Sequence, residues 1–281
     1  MISQYKLKIF LNLVLLLALL ALLVNHNPVY SNESKSEKLQ GEKYHSFENQ
    51  MQDVDSILVK AKKSNKLALI VMGANWCHDS RSLARKLFSS EVKETIESNY
   101  ELLFIDVGFM EKVKPVITRF GMPIIYSTPT ALIIEPNSEL LINRHNLHSI
   151  RDADLVSEQS IKNYFNDIAI NRYKLTKALS FLDTKVDTQI LTQLNLQIDE
   201  FEMHQATRIY QAYDIVGPLI KERKAGVKNK NFRKYWKSAS TLRYKITDDL
   251  DKLRAQAIKI AKVENSKEKL DFPIYPKFAW E

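Results

Sequence analysis

The 281-residue chain holds one cysteine, six glycines and eight prolines, which excludes an intramolecular disulfide framework and a cysteine-rich zinc site and argues against a loop-rich all-β fold. Hydrophobic residues make up 45% and charged residues 26%, enough for a real core. The net charge of +8 is uneven, because residues 170–281 carry 22 Lys/Arg against 14 Asp/Glu while the rest carries 19 of each, so two electrostatically different modules are expected.

Lys6 and Lys8 precede an uncharged, leucine-rich run from Ile9 to Val24. That order is the basic and apolar parts of an export signal, and Val29-Tyr30-Ser31 offers cleavage after Ser31. The alternative is an uncleaved anchor, although as a helix the run spans about 24 Å against a hydrocarbon core of roughly 30 Å. Residues 1–31 are thus expected to be a signal peptide or membrane anchor, and 32–45 a flexible spacer. Either way the basic flank stays in the cytoplasm. The remainder is expected to be membrane-anchored facing the periplasm, or soluble in the periplasm if cleaved. No cysteine follows the run, so a lipoprotein anchor is excluded.

Met51, Val54, Ile57, Leu58 and Ala61 recur at helical spacing and predict a helix over Ser46 to Lys63. The continuous apolar run Leu67 to Met72 predicts a central strand covered on both faces. Gly73-Ala74-Asn75 then leads to Trp76-Cys77-His78-Asp79-Ser80 and a helix through Leu83, Ala84 and Leu87. A short helix over Val92 to Asn99 and a second buried strand over Leu102 to Val107 follow, then a helix over Val113 to Phe120 closed by Gly121. Thr130 to Ile134 and Glu139 to Ile142 predict a hairpin around Pro136-Asn137-Ser138, and Ser157 to Ile168 a last helix of this unit.

Beyond residue 170 no strand signal remains. Helices are expected over Lys174 to Leu194, Ile198 to Lys221 and Phe232 to Val263. Leu242, Ile246, Leu250, Leu253, Ala257 and Ile260 form a core-facing stripe on the last. The last two should pair as an antiparallel hairpin across a basic turn.

The buried strand, Trp76-Cys77, Phe104-Ile105-Asp106, Phe120-Gly121 and Thr128-Pro129-Thr130 follow one another in the order and spacing of a thioredoxin domain. Residues 46–170 therefore resemble the thioredoxin-like fold family: an α/β mixed sheet covered by helices, followed here by an all-α region over 171–281. The resemblance implies that Pro129 is cis, with the backbone at Thr128 pairing with an extended substrate chain. It further implies that Trp76 shields one flank and that Ile105 lines an apolar rim. A cysteine at a helix start faces unpaired N–H groups and the positive dipole end, which favour thiolate. His78, if protonated, and Arg81 would favour it further, whereas Asp79 would oppose it.

The departures are equally informative. Ser80 stands where the family has its second cysteine, Val71 where it has a buried aspartate, and Leu102 where it has a lysine. The machinery that resolves a mixed disulfide is missing as a set. The candidate catalytic residues are Cys77, Ser80 and His78, and the candidate substrate contacts are Trp76, Ile105, Thr128 and Pro129. His145 and His148 lie in a loop that approaches the active site in this fold, but a metal site would need further ligands, and neither a metal nor a cofactor is expected.

Between Lys221 and Lys237 lie eight basic residues and one acid, Glu222, with Tyr235 and Trp236 inside the run. For an exported protein this suits an anionic membrane surface or an acidic partner better than nucleic acid, and a solvated turn is the plain alternative. Two functions remain open. One is monothiol thiol-disulfide exchange on protein or glutathione disulfides by a membrane-tethered protein. The other is a redox-inactive thioredoxin-fold module that binds or scaffolds an extended peptide.

Overall fold

A computed structural model describes Tyr44 and residues 49–178, 187–263 and 266–281. The apolar run Ile9–Val24, most of the expected spacer and the expected helix start at Ser46 lie outside the described residues. Among the described residues, no helix is long and apolar enough to cross a membrane.

The first helix, α1 (Gln50–Ser64), begins where the Asn49 side chain accepts a hydrogen bond from the Gln52 amide. It ends at Asn65, which adopts the left-handed conformation at φ 54°. Its buried Val54, Ile57, Leu58 and Ala61 are the residues whose spacing predicted it. Strand β1 (Leu67–Gly73) follows, buried at every position. Next come α2 (His78–Leu87), α3 (Lys93–Asn99), β2 (Tyr100–Asp106), α4 (Lys114–Arg119), β3 (Thr130–Glu135) and β4 (Leu140–Leu141). A 3-10 turn at Leu147–Ile150 precedes α5 (Glu158–Ala178).

The sheet order is β2-β1-β3-β4, with β1 parallel to β2 and antiparallel to β3, and β3 antiparallel to β4. Strand β2 starts two residues before its predicted position because Tyr100 and Glu101 pair with Leu67 and Ala68. Strand β4 is shorter than predicted. Glu139 turns at φ 55°, and at the other end the Asn143 side chain replaces the ladder, accepting from the Ile133 amide and donating to the Ala131 carbonyl.

Alternation along β1 divides the core. Leu67, Leu69 and Val71 pack with α2, α3 and α5 through Leu83, Leu87, Ile96 and Phe165. Ala68, Ile70 and Met72 face the opposite way, toward α1 and α4. This second cluster continues into α6 (Thr188–Lys224) and α7 (Phe232–Ala261), the expected helical hairpin. A fully buried side chain such as Ile70 or Ile246 contributes about 1.5–3 kcal/mol by leaving water.

The helical region differs from its prediction in where its helices begin and end. A break was expected between Leu194 and Ile198, yet α6 runs unbroken. Leu191, Leu194 and Ile198 share one buried face, and no glycine or proline interrupts them. Helix α6 begins at Thr188, where Asp187 caps it by accepting from the Gln189 and Ile190 amides. Helix α5 runs through residue 170, the expected domain boundary, to Ala178. The carboxyl-terminal tail packs back on the hairpin, burying Leu270, Tyr275 and Phe278.

Glu202 on α6 joins the two parts. Its buried carboxylate accepts from the Tyr126 hydroxyl at 2.8 Å, from Arg144 at 3.0 Å and from Arg254 of α7 at 3.1 Å. Burial, with the Glu202 charge beside it, pushes the Tyr126 phenol well above its ordinary range.

Candidate functional site

Cys77 is the N-cap residue of α2, with an extended backbone and no side-chain cap hydrogen bond. Its carbonyl accepts from the Arg81 amide at 3.2 Å, so the helix winds directly from the cysteine. The thiol turns to the loop before β3, donating to the Thr128 carbonyl at 3.1 Å and accepting from the Thr128 hydroxyl at 3.5 Å. Only 8% of Cys77 is exposed. The Thr128–Pro129 peptide bond is cis, as expected.

That loop is held from several directions. Within it, the Ser127 hydroxyl donates to the Pro129 carbonyl and the Thr130 hydroxyl to the Ser127 carbonyl. From α6, the Tyr213 hydroxyl donates to the Ile125 carbonyl at 2.6 Å, one residue from the Tyr126–Glu202 bond. The helical region thus positions the segment that faces the thiol. Tyr213 and Glu202 escaped the sequence reading, since two polar residues on a mostly apolar helix face give no sign of their distant partners.

Trp76 donates from its ring nitrogen to the Gly108 carbonyl at 2.7 Å and stacks on Phe109 at 6.5 Å. The edge of Trp236 from α7 meets it at 6.4 Å. Helix α6 comes equally close at Gly217, where any Cβ would overlap the Phe109 carbonyl oxygen. The flank expected for Trp76 is therefore a shared surface of the domain and the hairpin. Trp236 had been visible in the sequence only as an aromatic inside a basic run.

Ser80 is fully buried, and its hydroxyl lacks a well-formed hydrogen bond. The Tyr44 hydroxyl donates instead to the Ser80 backbone carbonyl at 3.0 Å. Tyr44 falls in the expected spacer, yet it is 2% exposed and clasped by Asn75, which donates to its carbonyl at 2.7 Å. Gly73 makes room for it, since a Cβ there would sit 2.6 Å from the Tyr44 ring and 2.7 Å from the Ser80 hydroxyl. Burial first, and electrostatic interaction with neighbouring Cys77 second, push the Tyr44 phenol far above its ordinary range. Tyr44 is a neutral wall of the site. The one signal for it is that it is the lone aromatic among residues 32–45.

Asp79 is turned to other work. One carboxylate oxygen lies 3.1 Å from the His78 ring and the other accepts from the Asp154 amide at 3.0 Å. Lys86 reinforces this junction, donating to the carbonyls of Ala153, Asp154 and Val156. His78, next to Cys77 in sequence, is exposed. Ile105 requires a correction. It is fully buried and joins the core cluster with Ile70 and Met72, so it lines no rim. Pairing with Met72 fixes its direction, and in a period-two strand the face is set by that register.

Val71 is fully buried between Phe104 and Ala131 in the ladder, and Leu102 pairs with Leu69. Neither carries a proton. His148 lies 3.7 Å from Asp251 of α7. Partial desolvation, followed by the charges of Arg254 and Arg144, lowers the affinity of the surface-exposed His145 for a proton. Both histidines therefore face the hairpin junction. Among the described residues, no group of three or more His, Cys, Asp or Glu is placed to hold a metal.

A strand, a cysteine at a helix N-cap and a cis-proline loop opposite it decide the comparison, and residues 49–136 match the family model described as thioredoxin-like. The segment is a thioredoxin-like domain. A solved structure of a disulphide isomerase from Xylella fastidiosa Temecula1 is 25% identical, with 46% of this chain and 98% of that chain covered and a TM-score of 0.42. No curated protein matches the chain. Within the thioredoxin-like domain, Cys77 caps α2 and Ser80 lies buried in its first turn.

Proposed function

We propose that the chain performs monothiol thiol-disulfide exchange at Cys77 on protein or glutathione disulfides. The observation that carries this reading is the placement of Cys77 at the α2 N-cap, against the Thr128 carbonyl and the cis-proline loop. The ionised sulfur attacks one sulfur of a substrate disulfide. That S–S bond breaks, a Cys77–substrate disulfide forms, and the other sulfur leaves as a thiolate that takes up the proton Cys77 released. An external thiol then attacks the mixed disulfide and restores Cys77. Ser80 cannot do so, because its alkoxide is inaccessible and no stable sulfur–oxygen bond would result.

The basic flank and apolar run at the amino terminus support an exported, membrane-tethered placement facing the periplasm, or a soluble one there after cleavage. A disulfide-forming compartment would supply the substrates. Acid-quenched trapping from the native compartment tests the reading. Cys77-linked adducts that vanish in Cys77→Ala are expected, and their absence would refute it.

One observation favours the second reading, a redox-inactive peptide-binding module: Cys77 is 8% exposed and its thiol is hydrogen-bonded. In that case Cys77→Ala retains partner binding and phenotype in full.

A further inference from the structure

We infer that the helical hairpin selects the disulfide substrate, drawing acidic protein segments to Cys77 through the exposed cations around its turn. This deepens the exchange reading and rests on it.

Lys221, Arg223 and Lys224 end α6, Lys228 and Lys230 occupy the turn, and Arg233, Lys234 and Lys237 open α7. All eight are exposed, and among the described residues none takes part in an ion pair. Glu222, the single acid of the stretch, is engaged by Asn229. Farther along α7, Lys245 and Lys252 meet Asp249, and Arg254 meets Glu202. The turn therefore concentrates uncompensated positive charge.

This charge is connected to the thiol. Arg223 lies over the Phe232 ring at 4.8 Å, Phe232 stacks on Trp236 at 6.2 Å, and Trp236 meets Trp76, the residue before Cys77. A row of rings thus joins the basic turn to the active-site flank. The patch also reaches a hollow of about 290 Å³ between α7 and the tail. Lys234, Lys237 and Lys277 rim it, and Leu242, Tyr275 and Phe278 line it. A cationic rim over an apolar floor fits an acidic chain with an apolar anchor. A flat headgroup layer would not fill such a hollow, so the geometry favours a protein segment over a lipid surface.

Cations of one sign beside a reactive group raise the encounter rate of anionic partners by 10–1000-fold at low salt, and salt screens the effect. The test uses the full chain and three disulfides: a neutral small disulfide, a mixed-disulfide peptide flanked by aspartates, and its lysine-flanked counterpart. Formation of the Cys77 adduct is followed by mass spectrometry.

The acidic peptide should react at least about tenfold faster than the lysine peptide at low salt, the ratio collapsing near 0.5 M salt. The triple variant Lys228→Glu, Lys230→Glu, Lys234→Glu should abolish or invert the ratio and leave the neutral disulfide rate unchanged. Equal peptide rates beside an active neutral disulfide would overturn this inference alone. No adduct with any disulfide would overturn the exchange reading and this inference with it. Binding of phosphatidylglycerol vesicles that the triple variant loses, without peptide discrimination, would assign the patch to a membrane and overturn the inference.

Discussion

Gly217→Ala probes whether the hairpin seats against the active-site flank. In an isolated helix, alanine is favoured over glycine by about 1 kcal/mol. Here the new methyl would overlap the Phe109 carbonyl oxygen, which as backbone cannot rotate away. Overpacking of this kind costs about 1–3 kcal/mol. Pro218 follows and disfavours a helical alanine before it, which removes most of the propensity gain. The expected result is a net loss of about 1–2 kcal/mol in urea unfolding.

Stability alone does not isolate the contact, because strain before a proline weakens α6 wherever α6 sits. Phe109 stacks on Trp76, however, and Trp76 meets Trp236. Displacing the Phe109 backbone should therefore also change tryptophan emission in the folded protein. Stabilisation by about 1 kcal/mol with unaltered emission would refute the reasoning.

Glu202→Ala leaves the half-buried Arg144 and Arg254 and the buried Tyr126 hydroxyl without their carboxylate and should cost about 2–3 kcal/mol, measured by urea unfolding. A loss under about 1 kcal/mol would show that the junction is solvated. Ser80→Cys replaces a hydroxyl that lacks a well-formed hydrogen bond with a second thiol, and should give the chain an intramolecular disulfide and dithiol turnover of insulin. Turnover no higher than that of the unaltered chain would contradict the assignment of Ser80. Burial raises the pKa of Tyr44, Tyr100, Tyr126 and Tyr164 above the ordinary 10.0, so these phenols bind protons that their unfolded counterparts release. Their contribution is complete below about pH 10 and is lost as pH rises beyond it, so the urea midpoint should fall between pH 9 and pH 11.

What was legible in the sequence was what depends on neighbours in sequence. The apolar run Leu67–Met72, the Trp76-Cys77 step into a helix and Thr128-Pro129 are local signals, and each element formed where its residues placed it. The family resemblance joined them into one site. The parts that escaped depend on partners far along the chain. Tyr44 reads as spacer until Gly73 and Asn75 make a pocket for it, and Glu202 reads as a helix acid until Tyr126, Arg144 and Arg254 surround it. Ile105 shows the opposite error, since a resemblance placed it on a rim and strand register turned it into the core.

The central claim is that Cys77 completes the first step of thiol-disulfide exchange and needs a second molecule for the next. Incubating the purified chain with glutathione disulfide, quenching with acid and weighing the intact protein tests it directly. One glutathione per chain, at Cys77, stable until an external thiol is added and absent in Cys77→Ser, is the predicted result. A chain that stays unmodified while its fold is intact would contradict the account.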